Sequence, residues 1–352
     1  MNNQKITGIL ILALVLAATL VSLSGPTRFE DEPEAPQRPA LDELMPQGER
    51  VDSSMILTVL DGGEITEMAM EVFLIGAVAA EMPASFELEA LKAQAVAART
   101  NIIYNIVCAP KSNHAEANVC TDFACCMAYS DESQLFAGWG GDYTAYIGKI
   151  IEAVTSTDGE TLLYGDNPIL AVFHSSSAGM TESSGNVWLE DLPYLTTVTS
   201  PETSEQVPGF VTELALSLSE FSEIISANLP EAVLADDPSE WITGISHTGS
   251  GRVRELTIGG VTIKGVKLRA LFNLRSAAVT IHISSSNVVF TTKGFGHGVG
   301  MSQYGANAYA RGGMSYSDIL LHYYSTGSAA SAGPQVKILA YTLTEQDPDL
   351  AG

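Results

Sequence analysis

Basic residues are scarce in this chain: 17 Lys and Arg stand against 41 Asp and Glu, a formal net charge of −24. A surface so acidic repels a phosphate backbone, which argues against nucleic acid as a partner. It argues equally against a partner held by charge attraction to an anionic membrane or wall, so recognition must rest on short, orienting contacts. No internal repeat recurs at a fixed period. The glycine-rich stretch at residues 294–300 lacks the Lys-Ser/Thr ending of a phosphate loop, and no βαβ unit surrounds it as a dinucleotide site requires.

An apolar run is present at the N-terminus. Ile6 to Leu23 carries no charge and follows Lys5. At about 1.5 Å per residue it spans about 27 Å, near the thickness of a hydrocarbon core. A secretory signal has a shorter apolar region followed by a small-residue cleavage site, and no clear A-x-A site precedes Gly25-Pro26. Residues 1–24 are therefore expected to be a cytoplasmic stub and a single-pass anchor in the cell membrane, with the rest of the chain outside. Residues 25–54, rich in Pro and Glu toward their start, read as a flexible linker. Residues 55–345 read as one extracytoplasmic body.

Within that body the pattern predicts a strand at Met55–Leu60, a turn at Asp61-Gly62-Gly63, and a helix at Met68–Ala80 ended by Pro83. Leu88, Leu91, Ala95, Ala98 and Ile102 recur at helical spacing and predict a second helix over Phe86–Tyr104, with Ser85 as its N-cap. After Ile150 short β-rich segments follow: Ile169–Phe173, Tyr194–Val198, Arg254–Ile258, Val261–Lys267 and Val279–Ile283. A last helix is expected near Ser302–Arg311. Helices early and strands later give an α+β fold class, with room for two lobes around a groove.

Three islands carry chemistry. The first, GAVAAEMPASF, places Glu81 between two helices among Ala80, Met82, Pro83 and Phe86. A carboxylate there loses hydration and its pKa rises, which suits a general acid; the competing reading is a helix cap or surface turn. The second, FHSSSAGMTE with Val187-Trp188 and Asp191–Leu195 beyond it, supplies hydroxyls, a histidine and aromatics. A sugar groove uses such groups, and so does a Ser-rich loop over a core aromatic. The third, GFGHGVGMSQYGA, opens a helix with alternating glycines whose N–H groups could face an anion or carbonyl. His297 there is either a ligand group or structural.

The four cysteines are Cys108, Cys120, Cys125 and Cys126. With His114 the last three form His-x5-Cys-x4-Cys-Cys, the donor set of a closed structural zinc site. Outside the cytoplasm disulfide pairing is the alternative. Cys108 is left over and reads as a small buried apolar residue.

Together the islands resemble the stage II sporulation protein D family, or SpoIID/LytB domain. The resemblance lies in AAEMPASFELEALKAQAVAART, FHSSSAGMTESSGNVW with PYL, SGRV, LRALFNLRS, and GFGHGVGMSQYGA with HYYSTG, over roughly residues 55–327. It implies a lytic transglycosylase of peptidoglycan that acts in sporulation and engulfment on glycan stripped of stem peptides, with Glu81 catalytic. It implies a cell-wall amidase and other membrane proteins of the engulfment machinery as partners. Gln94, Arg99, His174, Tyr194, His297 and Gln303 are candidates for holding the sugar. Some members carry a zinc site of two His and two Cys. His114, Cys120 and Cys126 match that pattern, and Cys125 stands where the second His would be. LytB-type relatives modify amidases, so a non-catalytic glycan-binding activator is the alternative function.

Overall fold

A computed structural model describes residues 39–326 and 334–343. The expected anchor at residues 6–23 lies outside them, and among the described residues no helix is long and apolar enough to cross a membrane. The fold is α+β, as expected, and is built on two hydrophobic cores.

The larger core surrounds the helix Leu88–Val107. This helix is apolar on nearly every side, a pattern that forces burial all round. Accordingly it packs against the helices Met70–Glu81, Tyr143–Thr155, Gln303–Arg311 and Tyr316–Tyr323 and against the strand Glu160–Tyr164. Fully buried side chains such as Phe73, Leu74 and Ile102 each contribute roughly 1.5–3 kcal/mol by leaving water. The smaller core belongs to residues 211–293. There the antiparallel strands Val211–Ser217, Asn287–Lys293 and Val279–Ile283 and the meander Ile242–Lys264 pack around Phe221, Phe272 and Phe290.

Several expectations are corrected. The linker ends earlier than residue 54. Leu41, Leu44 and Val51 pack on the larger core, and Asp158 accepts the N–H groups of Val51 and Asp52 at 2.8 and 2.9 Å. The helix expected from Met68 starts at Met70, because Glu64–Ala69 pairs as a hairpin with Ile56–Asp61. The second helix starts at Leu88, not Phe86. It has no side-chain cap at Ser85; the Glu87 N–H donates instead to the Asn307 side chain, 2.8 Å away on a distant helix. Tyr194–Val198 forms no strand, and of Ile169–Phe173 only Phe173 joins one. The helices Glu132–Trp139, Tyr143–Thr155, Leu218–Asn228, Gly265–Leu271 and Tyr316–Tyr323 were not anticipated.

Two of the islands meet through this topology. Met301 and Ser302 pair in parallel with Phe173 and His174, Ser176 bridges to Phe295, and Glu182 bridges to Val299. The glycines allow the seam: Gly300 has φ +69°, and a Cβ there would lie 2.1 Å from the Val172 carbonyl oxygen. The N–H groups of Gly294, Phe295, Gly296, Val299 and Met301 all donate to protein acceptors. The stretch is thus a stitched seam and not the anion cradle that its glycines suggested.

Candidate functional site

Glu81 is the last residue of its helix, and Pro83 just beyond it prevents continuation. One carboxylate oxygen accepts the Ala128 N–H at 2.8 Å; the other accepts the Gln303 amide at 3.0 Å. Burial raises the Glu81 pKa, while these two donors, which favour the ionised form, hold part of the rise back. A glycine makes the first contact available. A Cβ on Gly76 would fall 2.4 Å from the Tyr129 ring, so only glycine lets residues 127–130 lie against the helix and bring Ala128 to Glu81.

Glu81 opens into a groove of about 720 Å³. Its lining includes Asn101, Asn105, His174, Trp188, Arg269, His297 and Gln303, and among the described residues Glu81 is its only carboxylate. Aromatic faces border it: Phe123 is 81% exposed, Phe295 42% and Trp188 37%. Large rings left this open suit the flat faces of pyranose sugars.

The candidate residues divide. Gln303 touches Glu81 directly. His297 lines the groove beside Trp188, ring centroids 5.2 Å apart, and burial together with the charges of Arg269 and Arg252 lowers its pKa to about 4. It is therefore neutral at physiological pH, with Nδ1 accepting the Val299 N–H at 3.1 Å. His174 also lines the groove but is pinned, with Nδ1 against the Val299 carbonyl at 3.1 Å and Nε2 against Ser177 Oγ at 2.7 Å. Burial pushes its pKa well down, so it too is neutral.

The other three are corrected. Arg99 is fully buried and pairs with Asp52, Nε to Oδ2 at 2.8 Å, far from solvent. Gln94 is fully buried inside the long helix's packing and does not line the groove. Tyr194 is buried as well. Its hydroxyl accepts the Leu170 N–H at 3.2 Å, and burial lifts its pKa to about 12, so it braces a groove residue from behind.

Sequence reasoning missed Asn101, Asn105, Phe123, Arg269 and Phe295 as lining residues. The asparagines carried a signal: they stand one turn apart on an otherwise apolar helix, Asn105 donating to Asn101 at 3.1 Å. Glu202 was also missed. It accepts from the Ser177 N–H and from the Ser200 and Ser302 hydroxyls at 2.5, 2.6 and 2.5 Å, tying the second and third islands together behind the groove.

Beside the groove, His114, Cys120, Cys125 and Cys126 place their donor atoms within 4.8 Å of one another. Tetrahedral zinc with thiolates at about 2.3 Å sets neighbouring sulfurs about 3.8 Å apart. The Cys125 and Cys126 sulfurs are 3.9 Å apart, and His114 Nε2 lies 3.2 Å from Cys126 Sγ. His114 Nδ1 sits 3.0 Å from the Ala117 carbonyl, a contact that puts the proton there and leaves Nε2 free to ligate. The donor set fits a closed four-ligand metal site. Cys108, expected in the core, is exposed at the end of the long helix.

These features define an α+β protein with a sugar-sized groove and one half-buried carboxylate at its centre. The family model described as stage II sporulation protein matches residues 61–164. The chain is 38% identical over 260 residues to stage II sporulation protein D of Bacillus amyloliquefaciens, and 36% identical to that of Bacillus subtilis (strain 168). Each alignment covers 74% of both chains. The amidase enhancer of B. subtilis (strain 168) is 28% identical over 300 residues, 71% of this chain and 39% of that protein. The chain belongs to the stage II sporulation protein D family and is a sporulation protein.

Proposed function

We propose that this protein is a lytic transglycosylase that cleaves peptidoglycan glycan strands at Glu81. The observation that carries the proposal is one carboxyl group with a raised pKa, alone among carboxylates of the described residues in a groove bordered by aromatics. Protonated Glu81 donates to the glycosidic oxygen leaving muramic acid, and the C1–O bond breaks. The sugar's own C6 hydroxyl attacks the oxocarbenium-like C1, and the Glu81 carboxylate takes that hydroxyl's proton. The product is a 1,6-anhydro end, and Glu81 is again protonated. Hydrolases of the two-carboxylate type need a second acid within about 5–9.5 Å, which the groove lining does not supply.

The closed His/Cys set would hold zinc as a structural ion, because four protein ligands leave no position for a catalytic water. In this reading the body works outside the cytoplasm, held at the membrane, on strands already stripped by an amidase. The amidase-enhancer relative favours a second reading, a glycan-binding activator with no chemistry of its own. One experiment separates the two: incubate the full chain with denuded strands and weigh the fragments. Anhydro ends, one water lighter than reducing ends, are expected, and Glu81→Gln should lower the rate about 10²–10⁴-fold. Intact strands with the wild-type protein would leave the activator reading.

A further inference from the structure

Next to the main groove lies a second cavity of about 340 Å³ that shares Trp188, Arg269, Gly296 and His297 with it and adds Arg252 and Glu182. Two guanidinium groups face this space in a chain whose net charge is −24. Arg269 spends its Nε on the Leu274 carbonyl at 3.2 Å, and its terminal nitrogens have no acceptor among the described residues. Arg252 is 3% exposed; one terminal nitrogen donates to the Met180 carbonyl and Ser250 Oγ, and its Nε has no partner. Neither arginine forms an ion pair among the described residues. The carboxylate present, Glu182, is already saturated by the Ser183 N–H, Asn186, Thr248 and Ser250. The buried Arg252 Nε without a partner is costly, and the terminal donors of Arg269 are left open to the cavity for an acceptor.

We infer that Arg269, backed by Arg252, is a subsite for the free lactyl carboxylate of muramic acid in the bound glycan, an inference that rests on the proposed substrate class. The muramic acid side chain ends in a carboxyl group. Joined to a stem peptide it is a neutral amide; with the peptide removed it is an anion. A guanidinium with unspent donors holds the anion through paired, charge-assisted hydrogen bonds and gains little from the neutral amide. Specificity resides in the cavity and chemistry at Glu81.

The test reads binding in a Glu81→Gln background, so it does not depend on cleavage. Muramic-acid-containing strands with free carboxylates are compared with the same strands whose carboxylates have been coupled to methylamine. The free acid is expected to bind about tenfold to hundredfold more tightly, with the gap narrowing as salt is raised. Arg269→Gln should abolish the gap by weakening only acid binding, and Arg269→Lys should retain part of it. Equal binding of the two strands by the parent protein overturns the inference with no further variant. So does a folded Arg269→Gln protein that keeps the preference. Anhydro-end formation by the wild-type chain is scored separately, so failure of the proposed activity is distinguishable from failure of this subsite.

Discussion

The protonation state of Glu81 is set by opposing contributions: burial favours the neutral acid, and the donors from Ala128 and Gln303 favour the carboxylate. In the proposed mechanism Glu81 acts in its protonated form, so activity falls as pH rises through its pKa. Removing a donor raises that pKa further. Gln303→Leu is therefore expected to move the basic limb of the kcat/KM profile to higher pH, whatever it does to the height; an unmoved or lowered limb would refute the assignment. Arg99 makes the opposite case. Its charge is matched by Asp52 in full burial, and truncating one member of such a pair strands the other. Arg99→Met should cost about 3–5 kcal/mol in urea denaturation, and adding Asp52→Leu should recover most of it. From sequence, Glu81 is legible because its neighbours are apolar and a proline follows. Arg99 is not, because an arginine on an alanine-rich helix looks the same whether it faces a groove or a buried aspartate. Its partner lies in a segment whose composition reads as spacer.

At the scale of elements, the helix bearing Glu81 is placed by what touches it. Gly76 sits under the Tyr129 ring, one and a half turns before Glu81, and Ser130 donates to the Gly76 carbonyl at 3.3 Å. A methyl group at Gly76 has to push this segment away. Gly76→Ala should cost about 1–3 kcal/mol and, by withdrawing the Ala128 donor, shift the basic limb upward as Gln303→Leu does. Gly148 is the control: it lies exposed on a helix with nothing within 4 Å of a Cβ, so Gly148→Ala should be neutral or stabilise by up to about 1 kcal/mol. Melting temperatures and pH profiles of the two proteins check both statements. The long central helix is legible in sequence because its apolar spacing is sustained. The strand Glu64–Ala69 is not, since four of its six residues are polar or small and its pairing comes from the Gly62-Gly63 turn. Tyr194–Val198 fails as a strand because its hydrophobic residues serve as plugs: Leu195 is fully buried and Tyr194 props Leu170.

Across the whole molecule, the groove draws on parts that no local pattern connects. Glu81 and the asparagines come from the larger core's helices, Arg269 from the lobe of residues 211–293, and Cys125 and Cys126 from the loop that carries the His/Cys set. That loop does more than border the groove. Ala128, which holds Glu81, lies two residues beyond Cys126, and Lys111 donates to the Cys125 carbonyl at 2.6 Å, so order in the loop is transmitted to the carboxylate. An ion bound by the four side chains would fix the loop against the strand Ile56–Asp61, with which Val119 and Cys120 pair. Chelation of the purified full chain should then release one zinc per chain and lower melting temperature and strand cleavage together, and added zinc should restore both. Cys126→Ala should reproduce the chelated state. If zinc were instead the reacting centre, chelation would abolish cleavage and leave the melting temperature unmoved. That outcome would transfer the chemistry from Glu81 to the metal.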